Sequence, residues 1–204
     1  MIAIVDYGIG NVMAFLNVYK RLNIPATVAR TTSDLQAASK IILPGVGSFD
    51  HAMDRFQQSG MRETVEELVL AQKVPVLGVC VGMQMLARES DEGRVPGLGW
   101  LAAHVRSFRT HQASAALPIP HMGWNDILPA PGTRLFQGLD ANPRFYFLHS
   151  FFFECDDRGD RIASTTYGFE FSSAVQRENV YGVQFHPEKS HHYGAQLLKN
   201  FSEL

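Results

Sequence analysis

VPVLGVCVGMQML, residues Val74 to Leu86, joins a short apolar run to a helix-like apolar pattern through Gly-x-Cys-x-Gly. A strand that turns directly into a helix marks a β-α junction. The residue at such a turn sits at strained dihedrals, and its neighbours must be small enough to let the two elements meet. Gly78 and Gly82 supply that room on either side of Cys80. Taken alone, the stretch leaves two readings of Cys80 open. It is a small buried hydrophobe, the usual fate of a free cysteine, or a nucleophile at a helix N-terminus, where backbone N–H groups favour thiolate.

The residues on either side repeat the β-α pattern. IAIVDY (2–7) is a nearly continuous apolar run ending at Gly8, as expected of a strand buried on both faces. Asn11 then offers a helix start, and Val12, Phe15, Leu16, Tyr19 and Leu22 recur at helical spacing until Pro25 forbids continuation. ATVAR (26–30) and KIILPGVG (40–47) read as the second and third strands. Met61 to Gln72 reads as an amphipathic helix, with Val65, Leu68 and Val69 on one face. VPVLGV is the fourth strand, and Gly82 to Ser90 returns to helical pattern. Strands separated by helix-length segments imply a doubly wound α/β core, with helices on both faces of a parallel sheet.

Beyond residue 98 the character changes. WLAAHVRSF, WNDILPA, RFYFLHSFFF, RIASTTYG, SSAVQREN and VYGVQF are strand-like runs separated by turn signals, and they predict antiparallel strands extending the sheet. Ser190 to Phe201 closes the chain as a helix, with Leu197, Leu198 and Phe201 as its apolar side. With no internal repeat or linker, residues 1–204 read as a single domain.

At 204 residues the chain can bury a full core without staples. A net charge of -2 lacks the basic excess of a nucleic-acid binder, and no run has the length of a membrane span. MIAIVDYG has no basic n-region, so it reads as a strand start and not as a signal peptide. Cys80 and Cys155 read as free thiols, which fits a cytoplasmic protein. Cys155 follows FFFE with no base or helix start beside it, and reads as structural.

In open α/β sheets, ligands gather at the carboxyl ends of the strands. Four chemically loaded segments fall there: DYGIGN (6–11), PGVGSFD (44–50), GVCVGMQ (78–84) and QFHPEKS (184–190). A nucleophile needs a base, and the base an orienting group. His186 lies just past the last strand, and in an extended segment Glu188 would point the same way and reach its imidazole. Acyl transfer also needs oxyanion donors. The backbone N–H of Val81 is one candidate; PGVG is the other, although a plain turn is the commoner meaning of Pro-Gly. Gln84 lies one helical turn beyond Cys80, and Glu92 could pair with an ammonium group. Among the later aromatics, Phe145 and Phe147 read as core.

Together DYGIGN (6–11), LPGVGSF (43–49), PVLGVCVGMQML (75–86), IPHMGWN (119–125), YFLHS (146–150), GVQFHPEKS (182–190) and LLKNF (197–201) resemble the class I (triad) glutamine amidotransferases over nearly the whole chain. PHMGWN and HPEKS narrow the likeness to the glutaminase subunits of imidazole glycerol phosphate synthases. The resemblance implies a flavodoxin-like α/β/α fold with a mostly parallel central sheet extended by antiparallel strands. It implies a triad in which Cys80 attacks glutamine, His186 moves protons and Glu188 orients His186, releasing glutamate and ammonia through a γ-glutamyl thioester. Val46, Gly47 and Val81 match the oxyanion hole. Gly47, Gln84, Glu92, His149 and Ser150 match the glutamine site.

Asn11, His121, Met122, Trp124, Asn125, Tyr146 and Lys189 match an interface with a (β/α)8-barrel cyclase subunit, in a heterodimer of the histidine pathway. No cofactor or metal is implied, and the adjacent His191 and His192 would point apart rather than share an ion. Trp100 and the His191–His192–Tyr193 run resemble instead paralogues that supply ammonia for amidating a nucleotide-linked sugar in surface-polysaccharide clusters. A catalytically silent scaffold and a protease-like cysteine hydrolase are the remaining alternatives. All three triad positions being present speaks against the first, and PHMGWN with the His-Ser pair against the second.

Overall fold

The structure, a computed structural model, describes residues 1–114 and 116–204. β1 (Ile2–Val5) is followed by α1 (Val12–Arg21), β2 (Ala26–Ala29), α2 (Thr32–Leu35), β3 (Lys40–Gly45), α3 (Phe49–Gln58) and α4 (Arg62–Glu66), which continues as a π-helical turn over Glu67–Ala71. Next come β4 (Val76–Cys80), α5 (Val81–Gln84), β5 (Glu89–Ser90), β6 (Ala103–Ser107), β7 (His121–Asp126), β8 (Leu128–Pro129) and β9 (Arg144–His149). β10 (Phe151–Cys155), β11 (Arg161–Tyr167), β12 (Phe169–Arg177), β13 (Val180–Val183) and α6 (His191–Glu203) complete the chain.

The main sheet runs β2-β1-β3-β4-β13-β12-β10-β6-β5, with β11 on β12 and β8 on β11. The first five strands are parallel, and the pairing turns antiparallel at β12. The parallel half therefore has the flavodoxin-like order with its crossover between β1 and β3. β7 and β9 form a separate antiparallel ribbon.

Local chemistry explains the elements. The Asn11 side chain accepts from Ala14 N–H and caps α1, which turns Val12, Phe15, Val18 and Tyr19 inward. The Tyr19 hydroxyl donates to Leu198 O at 3.2 Å, tying α1 to the buried Leu197, Leu198 and Phe201 of α6. β1, β3 and β4 are almost wholly buried, as strands covered on both faces must be.

The β7–β9 ribbon lies apart from the sheet that its residues were expected to extend, and two further expectations change. The helix read over Gly82 to Ser90 stops after Gln84, because the carbonyls of Met85 to Arg88 accept instead from Leu98, Leu101, Gly99 and Gly97 N–H at 2.8–3.0 Å. Tertiary hydrogen bonds have displaced the helical ones. His-Pro-Glu-Lys is not extended: Pro187–Lys189 forms a 3-10 turn, closed by Lys189 N–H donating to His186 O at 3.0 Å.

The junction of β3, β4 and α5 leaves no room for a side chain at its glycines. A Cβ on Gly82 would lie 2.0 Å from Leu43 O, one on Gly45 would lie 2.4 Å from Gly82 N, and one on Gly78 2.6 Å from Gly82 O. Overpacked cores lose about 1–3 kcal/mol, and each kcal/mol moves the melting temperature of a chain this size by about 2–4 °C. Gly82→Ala is therefore expected to lower Tm by several degrees in a thermal melt followed by circular dichroism.

Candidate active site

Cys80 is the last residue of β4 and adopts φ 56°, ψ -115°, a left-handed backbone rare for a side-chain-bearing residue. The chain passes from strand to helix at this one residue, which brings the sulfur to the carboxyl edge of the sheet at the start of α5. Cys80 is 4% exposed. Its sulfur lies 3.8 Å from Leu148 O and 3.9 Å from Gln184 Nε2.

His186 is three residues past β13, which pairs directly with β4. Its N–H donates to Tyr146 O at 2.8 Å, and its carbonyl accepts from Ser190 Oγ at 2.6 Å. Inside the turn, His186 Nδ1 meets Glu188 Oε1 at 2.9 Å, with both side chains buried. The imidazole shares the cavity with Cys80, which acts on its titration. Burial alone would push its pKa down; the hydrogen bonds and charges of Cys80 and Glu188 outweigh burial and raise it to about 10. The imidazole thus stands between a thiol and a carboxyl group, the arrangement of a nucleophile with an oriented base.

A cavity of about 280 Å³ opens over Cys80, at the small end of ligand pockets and suited to an amino acid. Val46, Gly47, Val81, Gln84, Glu92, His149, Ser150 and His186 all line it, whereas Glu188 lies behind His186. Gly47 has φ 91° and Val46 is exposed, so this corner of β3 stands open to solvent. Just before it, the buried Tyr7 hydroxyl donates to Pro44 O. Burial, helped by the nearby Cys80, keeps that phenol protonated by raising its pKa.

Glu92 Oε2 accepts from Phe49 N–H at 2.8 Å, and Asp50 holds the following loop through Arg94 and Val95 N–H at 3.0 and 3.2 Å. Burial raises the Glu92 pKa, the Phe49 N–H opposes the rise, and Asp50 adds to it. Pro120, Leu148, Phe151 and Lys189 also line the cavity. The sequence reading did not single out Pro120, Leu148 or Phe151, and it assigned Lys189 to the interface.

The residues matched to an interface divide by strand parity. Met122 faces Leu148 and Trp124 faces Tyr146 across the β7–β9 ribbon; Met122, Trp124 and Leu148 are exposed, and Lys189 Nζ lies 5.8 Å from the Tyr146 ring centroid. Asn11 is exposed at the start of α1, which packs beside the Pro187–Lys189 turn. His121 and Asn125 point the other way. His121 is buried and hydrogen-bonded to His149, so its side chain offers no surface, and Asn125 donates to His121 and Thr166 O. Phe145 and Phe147 are fully buried.

Of the residues outside the cavity, His191 stacks on Trp124 and His192 lies against Tyr193. Cys80 and Cys155 are free, and burial pushes the Cys155 thiol up to about 11, leaving it inert at neutral pH. No helix among the described residues is long and apolar enough to cross a membrane.

The family described as glutamine amidotransferase class-I matches residues 3–203. The chain is 62% identical to the imidazole glycerol phosphate synthase subunit HisH of Bdellovibrio bacteriovorus, over all of both chains. It is 50% identical to the protein of that name from Leptospira interrogans, again over all of both chains. Among solved structures it superposes on a glutamine amidotransferase with TM-score 0.76 and 22% identity, covering 99% of this chain and 97% of that one. A Thermotoga maritima glutamine amidotransferase gives TM-score 0.65 at 16% identity, covering 99% and 82%. These two likenesses concern the fold.

The raised His186 pKa fixes a sign for stability. The unfolded imidazole titrates near 6.5 and the folded one near 10, so the stabilisation is complete below about pH 6.5 and is lost as pH rises through about 10. Urea unfolding across that range is expected to show stability falling with pH, and His186→Gln is expected to flatten the fall.

Proposed function

The chain belongs to the class-I glutamine amidotransferases, in the branch of the HisH subunits of imidazole glycerol phosphate synthase, and from that premise we propose that it is the glutaminase half of such a synthase. In this reading residues 1–204 form one cytoplasmic amidotransferase domain. It hydrolyses glutamine and passes ammonia to a HisF-type (β/α)8-barrel cyclase subunit in a heterodimer serving histidine biosynthesis. The observation that carries it is the buried Glu188–His186 pair beside Cys80 at the floor of an amino-acid-sized cavity.

The chemistry follows from the charges. The Cys80 thiolate attacks the side-chain amide carbon of glutamine, and the carbonyl electrons move onto oxygen. The Val81 N–H and the Val46–Gly47 segment border the place where that oxyanion forms, and preorganised donors there stabilise it. His186 gives its proton to the departing nitrogen, the C–N bond breaks, and ammonia leaves a γ-glutamyl thioester on Cys80. The now neutral His186 removes a proton from water, the hydroxide adds to the thioester carbon, and the C–S bond breaks to return the thiolate; glutamate departs with its new carboxyl proton lost to solvent, leaving the imidazolium restored. Glu188 keeps Nδ1 paired throughout, so Nε2 is the nitrogen that exchanges protons with sulfur, leaving group and water. Gln84, Glu92, His149 and Ser150 are the glutamine-binding residues of this reading.

Ammonia in water is mostly protonated and useless as a nucleophile, so a closed route to the second active site favours a docked partner. The exposed face of Met122, Trp124 and Leu148, joined by Tyr146 and Lys189 at the cavity rim, supports docking beside the cavity mouth. The relatives' names favour the histidine pathway over the surface-polysaccharide acceptor.

A strain lacking its own glutaminase subunit tests this directly. Supplied with this chain and its cyclase partner, it is expected to grow without histidine, and Cys80→Ala is expected to abolish growth. Failure of the unmodified pair to restore growth would count against the histidine pathway as destination of the ammonia.

A further inference from the structure

Beneath the exposed face of β7, the side chains on its inner face form a hydrogen-bonded relay that takes no part in the proton transfers above. Asn125 Nδ2 lies 3.2 Å from His121 Nε2, His121 Nδ1 lies 2.9 Å from His149 Nε2, and His149 Nδ1 lies 2.7 Å from Phe151 O. The two ends dictate the tautomers. A carbonyl only accepts, so His149 carries its proton on Nδ1 and presents a bare Nε2. His121 must then donate from Nδ1 and accept at Nε2, and the Asn125 amide supplies that donor. Asn125 is itself oriented by Asp126 N–H, which donates to its Oδ1 at 2.8 Å, and by Thr166 O, which accepts from its Nδ2 at 3.1 Å.

A proton added to either ring would set two N–H groups against each other. Burial opposes such a proton as well, lowering His121 to about 4, while burial together with the charge of His121 lowers His149 to about 3.

The relay reaches the glutamine cavity. His149 ends β9, Phe151 begins β10, and Ser150 between them lines the cavity. The His149-to-Phe151 hydrogen bond therefore clasps the corner that carries Ser150. Gln84 Nε2 also donates to Phe151 O at 3.3 Å and to Gln184 Oε1 at 3.0 Å, so the clasped carbonyl is one hydrogen bond from a cavity-lining side chain.

We propose that His121 is a positioning residue for glutamine. Its donation to His149 locks the tautomer that clasps the Phe151 carbonyl, and this holds the Ser150 corner in the shape that receives the substrate. The proposal rests on the glutaminase reading. A packing role is the competing account, since the His121 ring stacks on Phe147 at 4.8 Å and Tyr167 at 4.1 Å. The two accounts make opposite demands on substitutions. Phenylalanine keeps the stacked ring and loses the donor. Asparagine loses the stacking and keeps an N–H close to the position of Nδ1.

The experiment measures glutamate release against glutamine concentration for the complex with its cyclase partner, in the parent, His121→Phe and His121→Asn. Alongside, ¹⁵N imidazole spectra of the free chain read the His149 tautomer. His121→Phe is expected to raise the glutamine KM about tenfold with kcat within about twofold, and His121→Asn to leave KM within about threefold. His149 is expected to be Nδ1-protonated in the parent and to lose that single tautomer in His121→Phe.

An unchanged KM in His121→Phe, a poorer KM in His121→Asn than in His121→Phe, or an Nε2-protonated His149 in the parent would overturn the proposal. The last of these needs no variant to fold. A parent complex that released no glutamate would sink the glutaminase reading, while the His149 tautomer in His121→Phe would still uphold or overturn the clasp.

Discussion

Everything at this site depends on three backbones meeting without side chains between them. Gly45 at the end of β3, Gly78 within β4 and Gly82 in α5 pack so closely that a methyl group on any of them would overlap its neighbour's main chain. That contact draws the first turn of α5 down onto the sheet and forces the reversal into one residue, Cys80, at φ 56°. A left-handed conformation costs of order 1–3 kcal/mol at a non-glycine residue, and the buried strands on either side hold it in place. The same packing brings the Val81 N–H beside the sulfur and the Val46–Gly47 corner to the cavity wall.

Burial then acts differently on three histidines within one region. His186 is paired with a carboxylate and a sulfur and holds its proton well above the ordinary value. His121 and His149 have no carboxylate partner, and burial, joined at His149 by the charges of His121 and His186, strips them of charge. One residue type is thus held charged at one position and neutral at two others, the difference set by what stands around it.

Much of this was legible in the residues. The β-α alternation through residue 86 predicts the parallel half, and the convergence of Cys80, His186 and PGVG at strand ends follows from parallel wiring alone. What could not be read depends on partners distant in sequence. The early end of α5 is decided by amides at 97–101 that take the carbonyls of 85–88. Glu188 reaches His186 through a tight turn instead of an extended strand, a distinction that Pro187 leaves open locally. The inward direction of His121 and Asn125 was available in principle: with Met122 and Trp124 on the outer face, period-two alternation sends their neighbours to the core. Matching PHMGWN as one block hid that parity.

The proposed mechanism requires the Cys80 sulfur to carry the acyl group of glutamine. Quenching the complex with acid during glutamine turnover, then digesting it and weighing the peptides, tests this most directly. A γ-glutamyl adduct on the peptide containing Cys80, absent without glutamine and lost on mild base treatment as a thioester would be, is the predicted result. Steady glutamate release with Cys80 unmodified under rapid quenching, or an adduct on Cys155 instead, would contradict it.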